Sequence, residues 1–237
     1  MSLKAAIDGA FQVITRRNFL AGASSFAIVA ALVATSQIGT SPRALAEPAI
    51  NYDELMASGP LDDRSLGSSD APVVMIEYAS MTCSHCAAFE AETYPELKKR
   101  YIDTGKVRLI LRDFPLDAVA AGAFALARCA PKDQYFAIIE TLFAQQKDWA
   151  FVQNPRQALL TFSRQIGFSE QSFNACVGDK NTLSLMEAGL KLASQKFGVN
   201  STPTFFIVDT KNRSFKKFQG VMSVEDVVGA IEPLLKS

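Results

Sequence analysis

Cys83-Ser84-His85-Cys86 places two thiols three positions apart, with the chain's single histidine between them. At that spacing two cysteines can close and reopen a disulfide, so redox exchange is the leading chemistry. The stretch ahead, Val73-Val74-Met75-Ile76-Glu77-Tyr78, is largely β-branched and apolar and reads as a buried strand. The residues after Cys83 read as a helix. Cys83 is therefore expected at a helix N-terminus, where free N–H groups and the helix dipole favour thiolate over thiol. C-x-x-C has two other readings. A structural zinc site usually draws four ligands, often from two such pairs, whereas Cys129 and Cys176 are single and distant in sequence. A purely structural disulfide is the other. Dithiol exchange is the reading that uses the strand-to-helix placement.

Two further features bear on that pair. Glu77 lies six residues before Cys83, after an apolar run. A carboxylate there is unfavourable unless paired or protonated. If strand alternation points it beneath the cysteines, it could pass protons to Cys86; the alternative is an outward-facing strand glutamate. Ser201-Thr202-Pro203-Thr204 precedes a second apolar strand, Thr204 to Val208. Pro203 by itself could be an ordinary trans proline. His85 could be a plain surface histidine, but between two thiols it is expected to help stabilise the Cys83 thiolate.

The remaining elements are read from pattern. A long helix is expected from Ser84 to Ile102, kinked at Pro95, then a strand from Val107 to Leu111. Residues 116–197 read as all helical, with Gly198 ending the last stripe. Strands are expected over 204–208 and 214–218. A last helix starts at Ser223 and stops near Glu232, before Pro233. Residues 47–70 read as a loosely structured lead-in. Residues 71–115 and 198–237 thus form an α/β core interrupted by a helical insertion over 116–197, expected to pack as a cap with its own small core.

Residues 1–46 read as an export signal. Arg16-Arg17 precedes an apolar run from Phe19 to about Ala34, and Ala44-Leu45-Ala46 offers a signal-peptidase site after Ala46. An uncleaved anchor is the alternative, though the run is short of the roughly 20 residues that span a bilayer. The paired arginines resemble a twin-arginine signal, with an ordinary secretory signal as the alternative. Either route leads to the periplasm. The segment carries Lys4, Arg16, Arg17 and Arg43 against Asp8. The whole chain is neutral, so the remainder is mildly acidic, which argues against nucleic acid as a partner.

Taken together, the C-x-x-C, Glu77, Thr202-Pro203 and the helical block make the chain resemble the DsbA family of thiol:disulfide oxidoreductases. The resemblance covers roughly residues 60–237. It implies a thioredoxin-like core, a central mixed sheet flanked by helices, with an inserted all-helical subdomain. It also implies that Pro203 is cis, that Thr202 contacts substrate backbone, and that Cys83–Cys86 is a redox-active disulfide. The family commonly has Pro-His between the cysteines, where this chain has Ser84-His85. Cys129 and Cys176 both fall in the insertion. They are either buried free thiols or, as an oxidising compartment favours, a structural disulfide.

The function implied is donation of disulfides to reduced or unfolded exported proteins, with reoxidation by a DsbB-like, quinone-linked membrane thiol oxidase. A monomer is expected, with no cofactor and no bound metal. The alternatives are a reductase or isomerase on the same fold and, from another class, a metal or haem-assembly chaperone using the cysteines as ligands.

Overall fold

The computed structural model describes residues 49–236. The export signal over 1–46 and its cleavage point lie outside these residues. The sheet has five strands in the order β1 (Arg64–Leu66), β3 (Val107–Asp113), β2 (Val73–Ala79), β4 (Thr204–Asp209) and β5 (Ser214–Gln219). β2 runs parallel to β3, and the β1–β3, β2–β4 and β4–β5 pairs are antiparallel. The sheet is mixed, as expected. Parallel neighbours need a crossover, which α2 (Ser84–Glu92), α3 (Tyr94–Leu97) and a π turn (Lys98–Ile102) supply.

All seven residues of β2 are buried, which its central place requires. Strand alternation divides them between two faces. Val73 and Met75 pack with Phe89 of α2, Leu97 of α3 and Val227 of α10 (Val224–Leu235). Val74, Ile76 and Tyr78 pack with Leu55 of α1 (Tyr52–Met56) and Phe197 of α9 (Lys180–Phe197).

Between β3 and α9 the insertion contributes α4 (Ala118–Cys129), α5 (Tyr135–Ala144), α6 (Gln146–Trp149), α7 (Pro155–Gln165) and α8 (Glu170–Val177). It does not keep a separate core. Phe124, Ile139, Leu142 and Trp149 belong to one apolar cluster with Ala79, Met81, Cys83 and Cys86. The α9 helix closes on Gly198, whose φ of 60° glycine adopts without strain.

Three elements differ from the sequence pattern. The lead-in holds a short helix and an edge strand, α1 and β1. The helix after the cysteines breaks at Thr93 rather than kinking at Pro95. Thr93 donates its hydroxyl to Met222 O at 2.7 Å, and Pro95 falls in the first turn of the next helix, where its missing N–H has no partner to lose. The last helix runs through Pro233 to Leu235. Proline forfeits one hydrogen bond there, in a final turn that contributes little.

Cys129 and Cys176 are bonded to one another, joining α4 to α8. They lie 47 residues apart, so the chain-entropy account gives the link about 4 kcal/mol. Replacing both with serine is expected to lower the unfolding free energy by that order, read from urea midpoints; a loss under about 1 kcal/mol would contradict it.

Candidate active site

The turn between β2 and α2 is pinned on every side. Cys83 N–H donates to Ser80 O at 3.0 Å. Ser80 Oγ accepts the Leu116 N–H at 3.2 Å. The Thr82 hydroxyl donates to Asp117 Oδ2 at 2.8 Å, and Asp117 in turn caps α4. Held this way, Cys83 is the N-cap of α2, and its sulfur accepts the Cys86 N–H at 3.4 Å.

The two sulfurs sit in different electrostatic settings. Cys83 keeps 8% exposure and Cys86 none. The Cys83 thiol is lowered to about 5. The hydrogen bond from the Cys86 thiol is the largest cause; burial opposes it, and Thr202 and the backbone N–H groups of Cys86 and His85 add to it. Cys86 moves the other way, well above an ordinary thiol. Burial is the main cause, then the hydrogen bond with Cys83 and the charge of Glu77. The structure holds both thiols reduced.

The distant Thr202-Pro203 segment arrives at the same place. The peptide bond is cis, and Thr202 O accepts the Cys83 thiol at 3.2 Å. The Thr202 hydroxyl oxygen is buried and has no partner. It is thus a group beside the sulfur with a proton to donate once the thiol ionises. His85 is exposed, and its part in holding the thiolate comes through its backbone N–H.

Glu77 is 1% exposed, and neither carboxyl oxygen has a hydrogen-bond partner. It stands opposite Leu111 on β3 and Phe205 on β4, so alternation with Met75 turns it toward the α2 face. Burial pushes its carboxyl well above the usual range, and the charges of Glu90 and Cys83 push it further.

Sequence reasoning missed two residues. Glu90 lies four positions after Cys86, one turn along α2, and that i,i+4 spacing was its signal. With Tyr94, Lys98 and Glu140 it lines a cavity of about 310 Å³. Tyr94 donates to Glu140 Oε1 at 2.8 Å, and burial together with the Glu140 charge raises Glu90 to about 8. The other is Gln146, buried in the insertion and bonded to the cysteine turn. No local pattern marks it.

Two titrations test this electrostatic arrangement. Alkylation of Cys83 is expected to show a midpoint near 5, with Cys86 inert through neutral pH; a Cys83 midpoint in the ordinary thiol range would contradict the geometry. The second concerns Glu90. The folded chain keeps its proton up to about 8, while the unfolded chain releases it near 4.5. Between those values the unfolded state binds fewer protons, so stability falls as pH rises. Glu90→Gln is expected to flatten that fall. Urea midpoints of the oxidised form, whose active-site thiols do not titrate, provide the readout, and an unchanged slope would refute the assignment.

Comparison with known proteins agrees with this geometry. A thioredoxin family model, Thioredoxin_4, matches residues 61–232. A putative protein-disulfide oxidoreductase of Rickettsia bellii is 30% identical over 164 residues, covering 68% of this chain and 63% of the relative. The match thus spans a little under two thirds of that protein's length. Disulfide bond formation protein D of Bacillus subtilis is 24% identical over 164 residues, 66% of this chain and 72% of that protein. Among solved structures, alpha-DsbA1 of Wolbachia pipientis superposes with a TM-score of 0.72 at 32% identity, over 78% of this chain and 96% of that one.

Proposed function

We propose that this chain, which belongs to the DsbA-like branch of the thioredoxin family, is an exported protein disulfide oxidoreductase that donates the Cys83–Cys86 disulfide to reduced proteins in the periplasm. The observation that carries this reading is the placement of the two sulfurs, Cys83 as the N-cap of α2 accepting the Cys86 N–H and Cys86 fully buried one turn in, which moves the first thiol down and the second up. A stable Cys83 thiolate stabilises the reduced enzyme, and whatever stabilises the reduced form makes the oxidised form the stronger oxidant.

Atoms and electrons balance across the exchange. A substrate thiolate attacks the Cys83 sulfur, the Cys83–Cys86 bond breaks, and Cys86 leaves as a thiolate that takes up a proton. Glu77, buried and unpaired beneath the pair, is the group we assign to deliver it. A second substrate thiolate attacks the substrate sulfur of the mixed disulfide and expels Cys83 as a stable thiolate. The substrate loses two electrons and gains a disulfide; the enzyme gains the electrons as a dithiol. A quinone-linked membrane thiol oxidase would restore the disulfide. We assign Thr202, at the cis Pro203, to hold substrate backbone, and His85 to support the thiolate through its backbone N–H.

The substrate class, unfolded chain, is supported by the surface. The exposed large apolar side chains among the described residues are Leu116, Phe151 and Val221. Each is tied to the active-site turn or its neighbours. Leu116 donates its N–H to Ser80. Val221 comes directly after Gly220, whose N–H donates to Pro203 O at 2.9 Å. Phe151 lies just past α6, which carries Gln146.

Equilibration with glutathione is expected to place the pair well above the roughly −270 mV of thioredoxin. A strongly reducing value would replace the oxidase reading with a reductase on the same fold. Cys86→Ala should accumulate mixed disulfides with a disulfide-bearing substrate on non-reducing gels, because its Cys83 thiolate opens the substrate disulfide and no second enzyme thiol resolves the adduct, and Cys83→Ser should accumulate none. Exchange activity surviving in Cys83→Ser would defeat the mechanism.

A further inference from the structure

Gln146 opens α6, a four-residue helix in the insertion, and is only 4% exposed. Its Nε2 donates to Met81 O at 2.9 Å and to Cys83 O at 3.0 Å. Two carbonyl oxygens within reach of one atom identify that atom as the NH2 group, because a carboxamide oxygen would be repelled there. Both amide protons thus go to the residues that flank Thr82, in the turn that delivers the nucleophile. The Cys83 carbonyl also accepts the Ala87 N–H at 3.2 Å, the first bond of α2. Gln146 grips the N-cap residue at the very oxygen that starts the helix.

Gln146 is itself held in place. Buried Trp149, at the other end of α6, donates its indole N–H to Leu142 O at 2.8 Å. That bond ties α6 to α5, which packs on α2. The Ala150 N–H closes the short helix on Gln146 O at 2.9 Å. The contact at stake is the 3.4 Å hydrogen bond from Cys86 N–H to the Cys83 sulfur. Hydrogen bonds weaken steeply as length and angle depart from the optimum, so a small drift of the turn weakens it.

We infer that Gln146 is a positioning residue for the nucleophile: through its two hydrogen bonds the helical insertion sets where the Cys83 sulfur sits against the α2 N-terminus, and so how stable its thiolate is. This rests on Cys83 being the activated thiol of the exchange reaction, and the experiment measures that first. The titratable groups around the sulfur, Cys86 and His85 on α2 and Glu77 on β2, are untouched by the changes below.

The experiment compares the pH profile of Cys83 alkylation in the wild-type chain, in Gln146→Met and in Gln146→Glu. Methionine keeps the bulk without either donor. Glutamate keeps the shape and sets an acceptor against two carbonyls. The midpoint is expected to rise by about one pH unit in the methionine variant and at least as far in the glutamate variant. The equilibrium with glutathione should move about tenfold toward the reducing side, the equivalent of one unit. Thermal unfolding recorded in parallel shows which variants are folded. An ordinary wild-type midpoint removes the premise. A lowered wild-type midpoint that stays in place in a folded Gln146→Met chain overturns the inference. Where neither variant folds, Trp149→Phe decides: it frees α6 from Leu142 with Gln146 intact. There a smaller upward shift supports the clamp, and an unmoved midpoint overturns it.

Discussion

One sulfur must stay ionised and the other protonated within reach of each other in a site that holds little water. Burial alone would raise both thiols. What separates them is position on a single helix. Cys83 is the cap, outside the first turn, and collects donors: the Cys86 thiol and the N–H groups of Cys86 and His85. Cys86 is one turn in, fully buried, donates its thiol hydrogen to Cys83 and feels the Glu77 carboxyl. Burial raises both thiols, and the donors gathered at Cys83 outweigh it there while nothing comparable offsets it at Cys86. Ser84 fits this account. A proline at that first helical position would lack an N–H, whereas serine adds one to the helix end. The donors that reach Cys83, the Cys86 thiol, Thr202 and the backbone N–H groups of Cys86 and His85, all belong to other residues, so they do not depend on the side chain at 84.

The buried acids answer to the same requirement. Glu77 sits in the middle of the central strand between Leu111 and Phe205, where any apolar residue would be more favourable. It can stay there because it keeps its proton, and that retained proton is what the donor role proposed for it requires. Glu90 repeats the arrangement one turn beyond Cys86, beside the cavity with Glu140. Both carboxyls subtract from stability as the pH rises past their ordinary range. A buried acid that weakens the fold at neutral pH while lying in reach of a reactive sulfur, as Glu77 does with Cys86, points to function rather than to packing.

How far the sequence carried the reading depended on the range of each interaction. The Cys83–Cys86 pair, the strand leading to it and the alternation that turns Glu77 inward are local, and they were legible. Thr202 and Pro203 were legible only as part of a family resemblance, because nothing near them in sequence points to Cys83. β1 was not legible: its three residues, Arg64–Leu66, are too few to show alternation, and pairing with β3 rather than propensity makes them a strand. α1 is likewise short, held by the Asn51 cap and the burial of Leu55. Gln146 lies 63 positions from Cys83 and takes its role wholly from tertiary contact. Glu90 was the one omission that spacing along α2 already contained.

The point of insertion explains why a helical block could become part of the active site. Tyr78 pairs with Thr204 and Val73 with Asp209, so the cysteine turn and the start of β4 share one end of the sheet. The chain leaves β3 at that end, where Phe114 N–H donates to Ala79 O at 2.8 Å. Its first step into the insertion, Asp117, accepts from Thr82 and caps α4 at once. Its middle returns through Gln146, and its exit delivers Thr202 to the sulfur. Entry, middle and exit all touch the same turn. A block of equal size placed between β4 and β5 would emerge at the opposite end of the sheet, where Thr210 N–H bonds Pro72 O, and could make none of these contacts. The apolar cluster shared by the cysteines and the insertion helices is therefore a consequence of chain order. It also means that the nucleophile and the insertion cannot move independently.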